Sequence, residues 1–145
     1  MAAPDGHGGV MERIRQKIGR IQEHLQLLHT LRPECVERFP VDPIYRGAVL
    51  YYLYLLSDGC IVLAELVIRL KKLRTPQTYA EAFDILGESG VLPAAFAYSF
   101  ATIAGFRNFL AHDYEKVDGF VICNEIMQRL DDVARYVQYI EAVSQ

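Results

Sequence analysis

The chain has 145 residues, of which 52% are hydrophobic and 23% charged, a globular composition long enough for one domain with a real core. A formal net charge of −3 and a pI near 5.8 exclude a protein that holds nucleic acid mainly through global basic charge, so any such contact must rest on a local patch. Cys35, Cys60 and Cys123 are odd in number, widely spaced and free of a C-x-x-C pair; they indicate neither a disulfide framework nor a zinc site, and buried free thiols in a reducing cytoplasm are expected.

Residues 1–9 contain Pro4, Gly6, Gly8 and Gly9 without an apolar segment, which predicts a disordered tail rather than a signal peptide, followed by a single domain over 10–145. The first helix is predicted from Val10 to Leu31, because Ile14, Ile18, Ile21, Leu25 and Leu28 recur at alternating steps of four and three. That spacing makes one apolar stripe and leaves Arg13, Arg15, Lys17, Arg20, Gln22 and Glu23 for other faces. Pro33, Pro40 and Pro43 bracket a loop that cannot be helical throughout.

A second helix is predicted from Ile44 to about Leu73, with Pro43 placed to start it. Arg69, Lys71, Lys72 and Arg74 fall at its C-terminal end, where cations offset the helix dipole, and the same run could also touch RNA. The stretch Ala48–Leu70 reaches the roughly 20-residue length of a membrane span. Asp58 and Glu65 near its middle would each cost on the order of 2.5–3.5 kcal/mol in a bilayer, so a central helix buried by its neighbours is expected instead. Thr78 and Glu81 fit a capping box and predict a short helix over Tyr79–Leu86, ended by Gly87 and Gly90. Pro93 suits the first turn of a further helix carrying Phe96, Phe100, Ile103, Phe106 or Arg107, and Leu110. The last helix, from about Phe120 to Ala142, presents Phe120, Cys123, Ile126 or Met127, Leu130, Val133, Val137 and Ile140. No segment alternates with period two between hairpin turns. The expected fold is all-α, an antiparallel bundle of four long helices plus one short helix.

One segment concentrates chemistry. Residues 107–114 read Arg-Asn-Phe-Leu-Ala-His-Asp-Tyr, which brings a fixed cation, a titratable imidazole and a phenol into one short stretch. On a continuous helix each residue turns by about 100°, so Tyr114 returns to within roughly 20° of Arg107 while His112 sits about 140° away. Either the helix ends or distorts between Leu110 and His112, or a second chain completes the site. His112 can act as general base or acid at neutral pH, and the planar fork of Arg107 matches phosphate oxygens. Asn108 could add a hydrogen bond, Tyr114 could position the scissile group, and Asp58, a carboxylate in a buried helix, demands a partner such as Arg107 or His112. Arg107 could alternatively pair with Asp113 or Glu115.

The spacing Arg107, four residues, His112, one residue, Tyr114 resembles the motif of the HEPN superfamily, nearest to its HepT-like ribonuclease toxins. The likeness extends over Ser57-Asp58 in the second helix, Pro76–Phe83, and Ile103–Asn108 leading into the motif. It implies a toxin that cleaves RNA without a metal or other cofactor, through attack of the 2′-hydroxyl on the adjacent phosphate, with Arg107 and His112 catalytic. It also implies a homodimer whose two motifs share one cleft. A separate nucleotidyltransferase antitoxin would transfer adenylate groups from ATP to Tyr114, placing phosphates where RNA should bind. RNA and that antitoxin are the implied partners, in the cytoplasm and away from any membrane. The alternative is a non-catalytic nucleotide-binding or regulatory subunit of a nucleotidyltransferase. A di-metal carboxylate bundle would need Glu-x-x-His pairs, which the sequence lacks.

Overall fold

The most apolar helix starts where its sequence signals predict. The Asp42 carboxylate accepts hydrogen bonds from the backbone N–H groups of Ile44 and Tyr45 at 3.0 and 3.1 Å, and Pro43, lacking an N–H, leaves no donor unsatisfied in the first turn. In the computed structural model, which describes residues 6–144, this helix is α3, Pro43–Leu70. Val49, Cys60, Leu63, Ala64 and Val67 along it are fully buried. Burial by neighbours on several sides accounts for its long apolar run, and among the described residues no helix is long and apolar enough to cross a membrane.

Helix α1, Gly6–Leu31, packs along α3 through the Ile14, Ile21 and Leu28 stripe. Gly59 permits the close approach: a Cβ there would lie 3.1 Å from Ile21 Cγ1. The expected tail over residues 1–9 overlaps α1 at 6–9, because the helix continues one turn ahead of Val10, its first buried apolar residue. The rest of that tail lies outside the described residues.

The proline-bracketed stretch is not a plain loop. A 3-10 turn over Arg32–Glu34, with Pro33 in its first turn, leads into a single α-turn, α2, Cys35–Arg38. The Tyr45 hydroxyl donates to the Leu31 carbonyl, and Arg38 bridges Glu34 and Asp42 at 2.7 Å each, which ties this corner to the start of α3. Here the cysteine expectation fails. Cys35 and Cys123 form a disulfide with Cα atoms 5.5 Å apart across a sequence separation of 88, and only Cys60 is free and buried. The pairing follows from α2 docking on the beginning of the last helix, a tertiary contact that linear spacing does not encode.

Helix α4, Tyr79–Glu88, has Thr78 as its cap, accepting from the Glu81 N–H at 3.1 Å. Glu81 answers to the Gln77 N–H at 2.8 Å, one residue earlier than a strict capping box. Gly90, at φ 81, takes the left-handed turn that ends this segment. The helix expected from Pro93 divides at Ala101 into α5, Ala94–Phe100, and α6, Thr102–Asp113. The Ala104 N–H bonds the Ala101 carbonyl at 3.1 Å, an i+3 bond that tightens the turn there.

The last long helix starts as α7, Gly119–Val121, widens into a π turn over Ile122–Ile126, tightens over Met127–Arg129, and ends as α8, Leu130–Val143. The wide turn settles the ambiguous stripe position: Met127 is fully buried and Ile126 only partly. Gln128 Nε2 donates to the Cys123 carbonyl at 3.1 Å, satisfying an acceptor in the widened turn. Tyr136 of α8 closes the core, donating to the Cys60 carbonyl at 2.8 Å with its ring against Phe83 and Phe100. The fold is all-α and strand-free among the described residues, with α4 as the short helix beside four long ones.

Candidate active site

Arg107 projects from α6 onto α3. Its Nε donates to the Asp58 carboxylate at 3.1 Å, and its guanidinium lies 5.2 Å from the Tyr54 ring centroid and 5.4 Å from that of Tyr79. Tyr54 precedes Asp58 by one turn of α3 and Tyr79 opens α4, so three elements fix one cation from different sides. Nη1 donates to Asn108 Oδ1 at 3.3 Å. Partial burial opposes the charge, but the Asp58 hydrogen bond and the surrounding phenols outweigh it and hold the guanidinium above its ordinary pKa. The Arg107 side chain is 18% exposed and that of Asp58 37%, so the pair is partly open to solvent.

Of the two partners weighed for Asp58, the structure selects Arg107. Asp113, the alternative anion for Arg107, pairs with Lys116 at 3.7 Å. Helix α6 runs unbroken through His112 to Asp113, so the distortion considered between Leu110 and His112 is absent. Arg107 therefore turns inward onto α3 while His112, about 140° further round, is exposed. One chain does not aim both groups at a common point.

Tyr114 departs from its expected direction. Asp113 adopts φ −134 and ψ 26, which breaks the helical rotation before Tyr114, so the near-return to the Arg107 line does not apply. Tyr114 opens a 3-10 turn over Tyr114–Lys116 and is 53% exposed, leaving its phenol accessible. The rings over Arg107 are those of Tyr54 and Tyr79 instead. Tyr54 was legible as the i−4 neighbour of Asp58; Tyr79 depends on how α4 docks, which no local pattern announces.

The surroundings are apolar and open. Ile44 and Tyr51, fourteen and seven residues before Asp58 and hence near its face of α3, are 85% and 59% exposed, and Phe109 of α6 is 37% exposed. A separate cavity of about 230 Å³ lies behind α6, lined by Leu53, Ser57, Phe100, Ile103, Phe106 and Val133 among others. Its lining includes neither Arg107 nor Asn108, His112 or Tyr114. Among the described residues no cluster of His, Cys, Asp or Glu has the arrangement of a metal site.

Comparison with known proteins adds independent findings. The family model described as Ribonuclease HepT-like matches residues 14–140. The chain is 22% identical over 105 residues to an mRNA nuclease HepT of Shewanella oneidensis, covering 72% of this chain and 79% of that one. Among solved structures, a toxin–antitoxin complex with AMP-PNP superposes with a TM-score of 0.80 at 22% identity, covering 89% of this chain and 97% of the other. A tri-AMPylated Shewanella oneidensis HEPN toxin in complex with an MNT antitoxin gives 0.79 at 22% identity, over 89% and 96%. The cytosolic protein of unknown function YutE from Bacillus subtilis gives 0.77 at 17% identity, over 90% and 87%. At these identities the superpositions establish the fold.

Proposed function

The chain belongs to the HepT-like ribonuclease family, and on that premise we propose that it is the toxin of a toxin–antitoxin pair, a metal-independent endoribonuclease that acts as a homodimer. The observation that carries this reading is the Arg107 arrangement: a guanidinium tied by Asp58, set beside the rings of Tyr54 and Tyr79, and partly open to solvent.

The dimer supports the chemistry. Because α6 continues through His112, Arg107 and His112 of one chain diverge, whereas two copies related by a two-fold axis can set the Arg107 of one beside the His112 of the other. The exposed Tyr51 and Phe109 on the helices that carry Asp58 and Arg107, and Ile44 further along α3, suit burial against a second copy. His112 takes the proton from the 2′-hydroxyl as that oxygen attacks the adjacent phosphorus. Arg107 stabilises the charge on the phosphorane, and the 5′-oxygen departs with a proton from an imidazolium, leaving a 2′,3′-cyclic phosphate. Asn108 holds Nη1 of Arg107 and so helps fix the fork.

The toxin is silenced by a separate nucleotidyltransferase antitoxin that adenylylates Tyr114, whose exposed phenol leaves room for the transferred groups. Both partners and the RNA substrate are cytoplasmic. The reading is tested by incubating the purified protein with RNA in excess chelator, beside His112→Ala and Arg107→Ala. Cleavage with cyclic-phosphate ends by the parent, slowed roughly 10²–10⁴-fold on loss of the proton-transfer group, supports it. Equal activity in all three proteins, or activity abolished by the chelator, rejects it.

A further inference from the structure

Arg13, Lys17 and Arg20 recur on α1 at steps of four and three, so they share one outward stripe. With Gln16 they line an open groove of about 300 Å³ floored by Val62 and Leu66 of α3. The groove and the Arg107 site share the same helix. Val62 follows Asp58 by one turn, and Gly59, next to Asp58, lies against the aliphatic stem of Lys17, whose Cδ would be 3.7 Å from a Cβ added there. The outer face of α3 is thus a floor with Arg107 of α6 along one side and the cations of α1 along the other.

These cations are largely uncommitted. Arg38 and Arg74 each engage two carboxylates. Arg13 and Lys17 have no carboxylate within ion-pair distance among the described residues, and Arg20 makes one exposed pair with Glu23 at 3.1 Å, a contact of little strength. Their field is felt locally: burial first, then Arg20, hold the neighbouring His24 below its ordinary pKa, with Glu23 opposing and Lys17 adding a smaller push in the same direction as Arg20. The anions on the floor offer weak opposition. Asp58 is bound by Arg107, and burial together with Asp58 pushes the Glu65 carboxyl up, while Arg69 adds a cation one turn beyond. Arg13 to Arg20 spans about 10 Å along the helix axis, which matches an extended polyanion better than a single phosphate.

We propose that Arg13, Lys17 and Arg20 form a phosphate-binding rail that leads the backbone of single-stranded RNA across the outer face of α3 to Arg107. The inference rests on the ribonuclease reading and supplies what the net charge of −3 withholds, a local cationic path for the substrate.

The test uses full-length protein carrying His112→Ala, so that a fluorescently labelled single-stranded RNA oligonucleotide stays intact while its affinity is followed by anisotropy across a salt series. Replacing Arg13, Lys17 and Arg20 together by glutamine should make the slope of log affinity against log salt shallower by about 2, since each lost single-strand phosphate contact contributes about 0.7. A control replaces Arg15, Arg129 and Arg135, which have the same total charge and do not line the groove; it should keep the parental slope. Both triple variants should melt cooperatively like the parent. An unchanged slope in the α1 variant, or an equal change in the control, overturns the rail. So does loss of binding to the nucleotidyltransferase with RNA binding intact, which would make the stripe a protein-docking surface. If RNA is neither bound nor cleaved by the parent chain, the ribonuclease reading itself falls. If the parent cleaves and the α1 variant matches it, only the rail falls.

Discussion

Removing the Asp58 carboxylate should separate aiming from charge at the candidate site. Asp58→Ala deletes the anchor of Arg107 Nε at 3.1 Å and leaves the guanidinium held by Tyr54, Tyr79 and Asn108. The pair is partly open to water, with side-chain exposures of 18% and 37%, so solvent replaces part of what is lost. The stability cost should be about 1–2 kcal/mol, between that of an exposed ion pair and that of a buried hydrogen bond to a charged group. The effect on catalysis should be larger than that suggests. A guanidinium displaced by about 1 Å from its productive position can cost on the order of 10²-fold, so Asp58→Ala should cleave RNA about 10- to 100-fold more slowly than the parent. Asp58→Asn keeps an acceptor for Nε and should lie between the two. The assay is single-turnover cleavage of a labelled RNA, paired with urea unfolding to show that each variant is folded. In an Arg107→Ala background, Asp58→Ala should add little further loss, because the carboxylate acts through the arginine. A parental or faster rate in Asp58→Ala would refute the reasoning, since it would mean that Asp58 sequesters Arg107 instead of aiming it.

Three further outcomes follow from the same geometry. Co-expression with the cognate nucleotidyltransferase should add AMP-sized mass increments that vanish in Tyr114→Phe; increments persisting in that variant would place the modification elsewhere. Reduction, or Cys123→Ser, should lower stability by up to about 4–5 kcal/mol in chain-entropy terms, because the Cys35–Cys123 bond closes a separation of 88 residues; identical denaturation curves with and without reductant would contradict the bond. His24 is buried against Tyr52 and its folded pKa is depressed, by burial first and then by Arg20 and Lys17, with Glu23 opposing. The unfolded chain therefore takes up that proton more readily, so stability should decline as pH falls below about 6.5; this part of the decline should disappear in His24→Gln, as read by thermal melting across pH.

Much of the bundle was legible because its helices announce themselves by period. The Ile14–Leu28 stripe, the Pro43 start and the Thr78 cap each encode a local geometry that tertiary packing then leaves alone. What could not be read depends on contacts between distant elements. The choice between Ile126 and Met127 hangs on a π turn that shifts the stripe by part of a turn, and the Cys35–Cys123 bond hangs on where α2 docks. At the site, Arg107, His112 and Asp58 stand out by residue type in an apolar setting, and the pairing of Arg107 with Asp58 was one of two foreseen. Tyr79 belongs to a different helix and becomes a wall of the site only after α4 packs. The relation between Tyr114 and Arg107 holds only on a continuous helix, and the Asp113 backbone at φ −134 and ψ 26 ends that helix before Tyr114.

Complementation between inactive variants asks directly whether the Arg107 of one chain works with the His112 of another. Arg107→Ala and His112→Ala should each be inactive as homodimers, yet co-expressed and purified through two different tags as a mixed dimer they should recover cleavage, because one of the two Arg–His pairs across the interface is then intact. If the mixed dimer forms and stays as inactive as its parents, the two groups do not cooperate between chains and the composite ribonuclease site is contradicted.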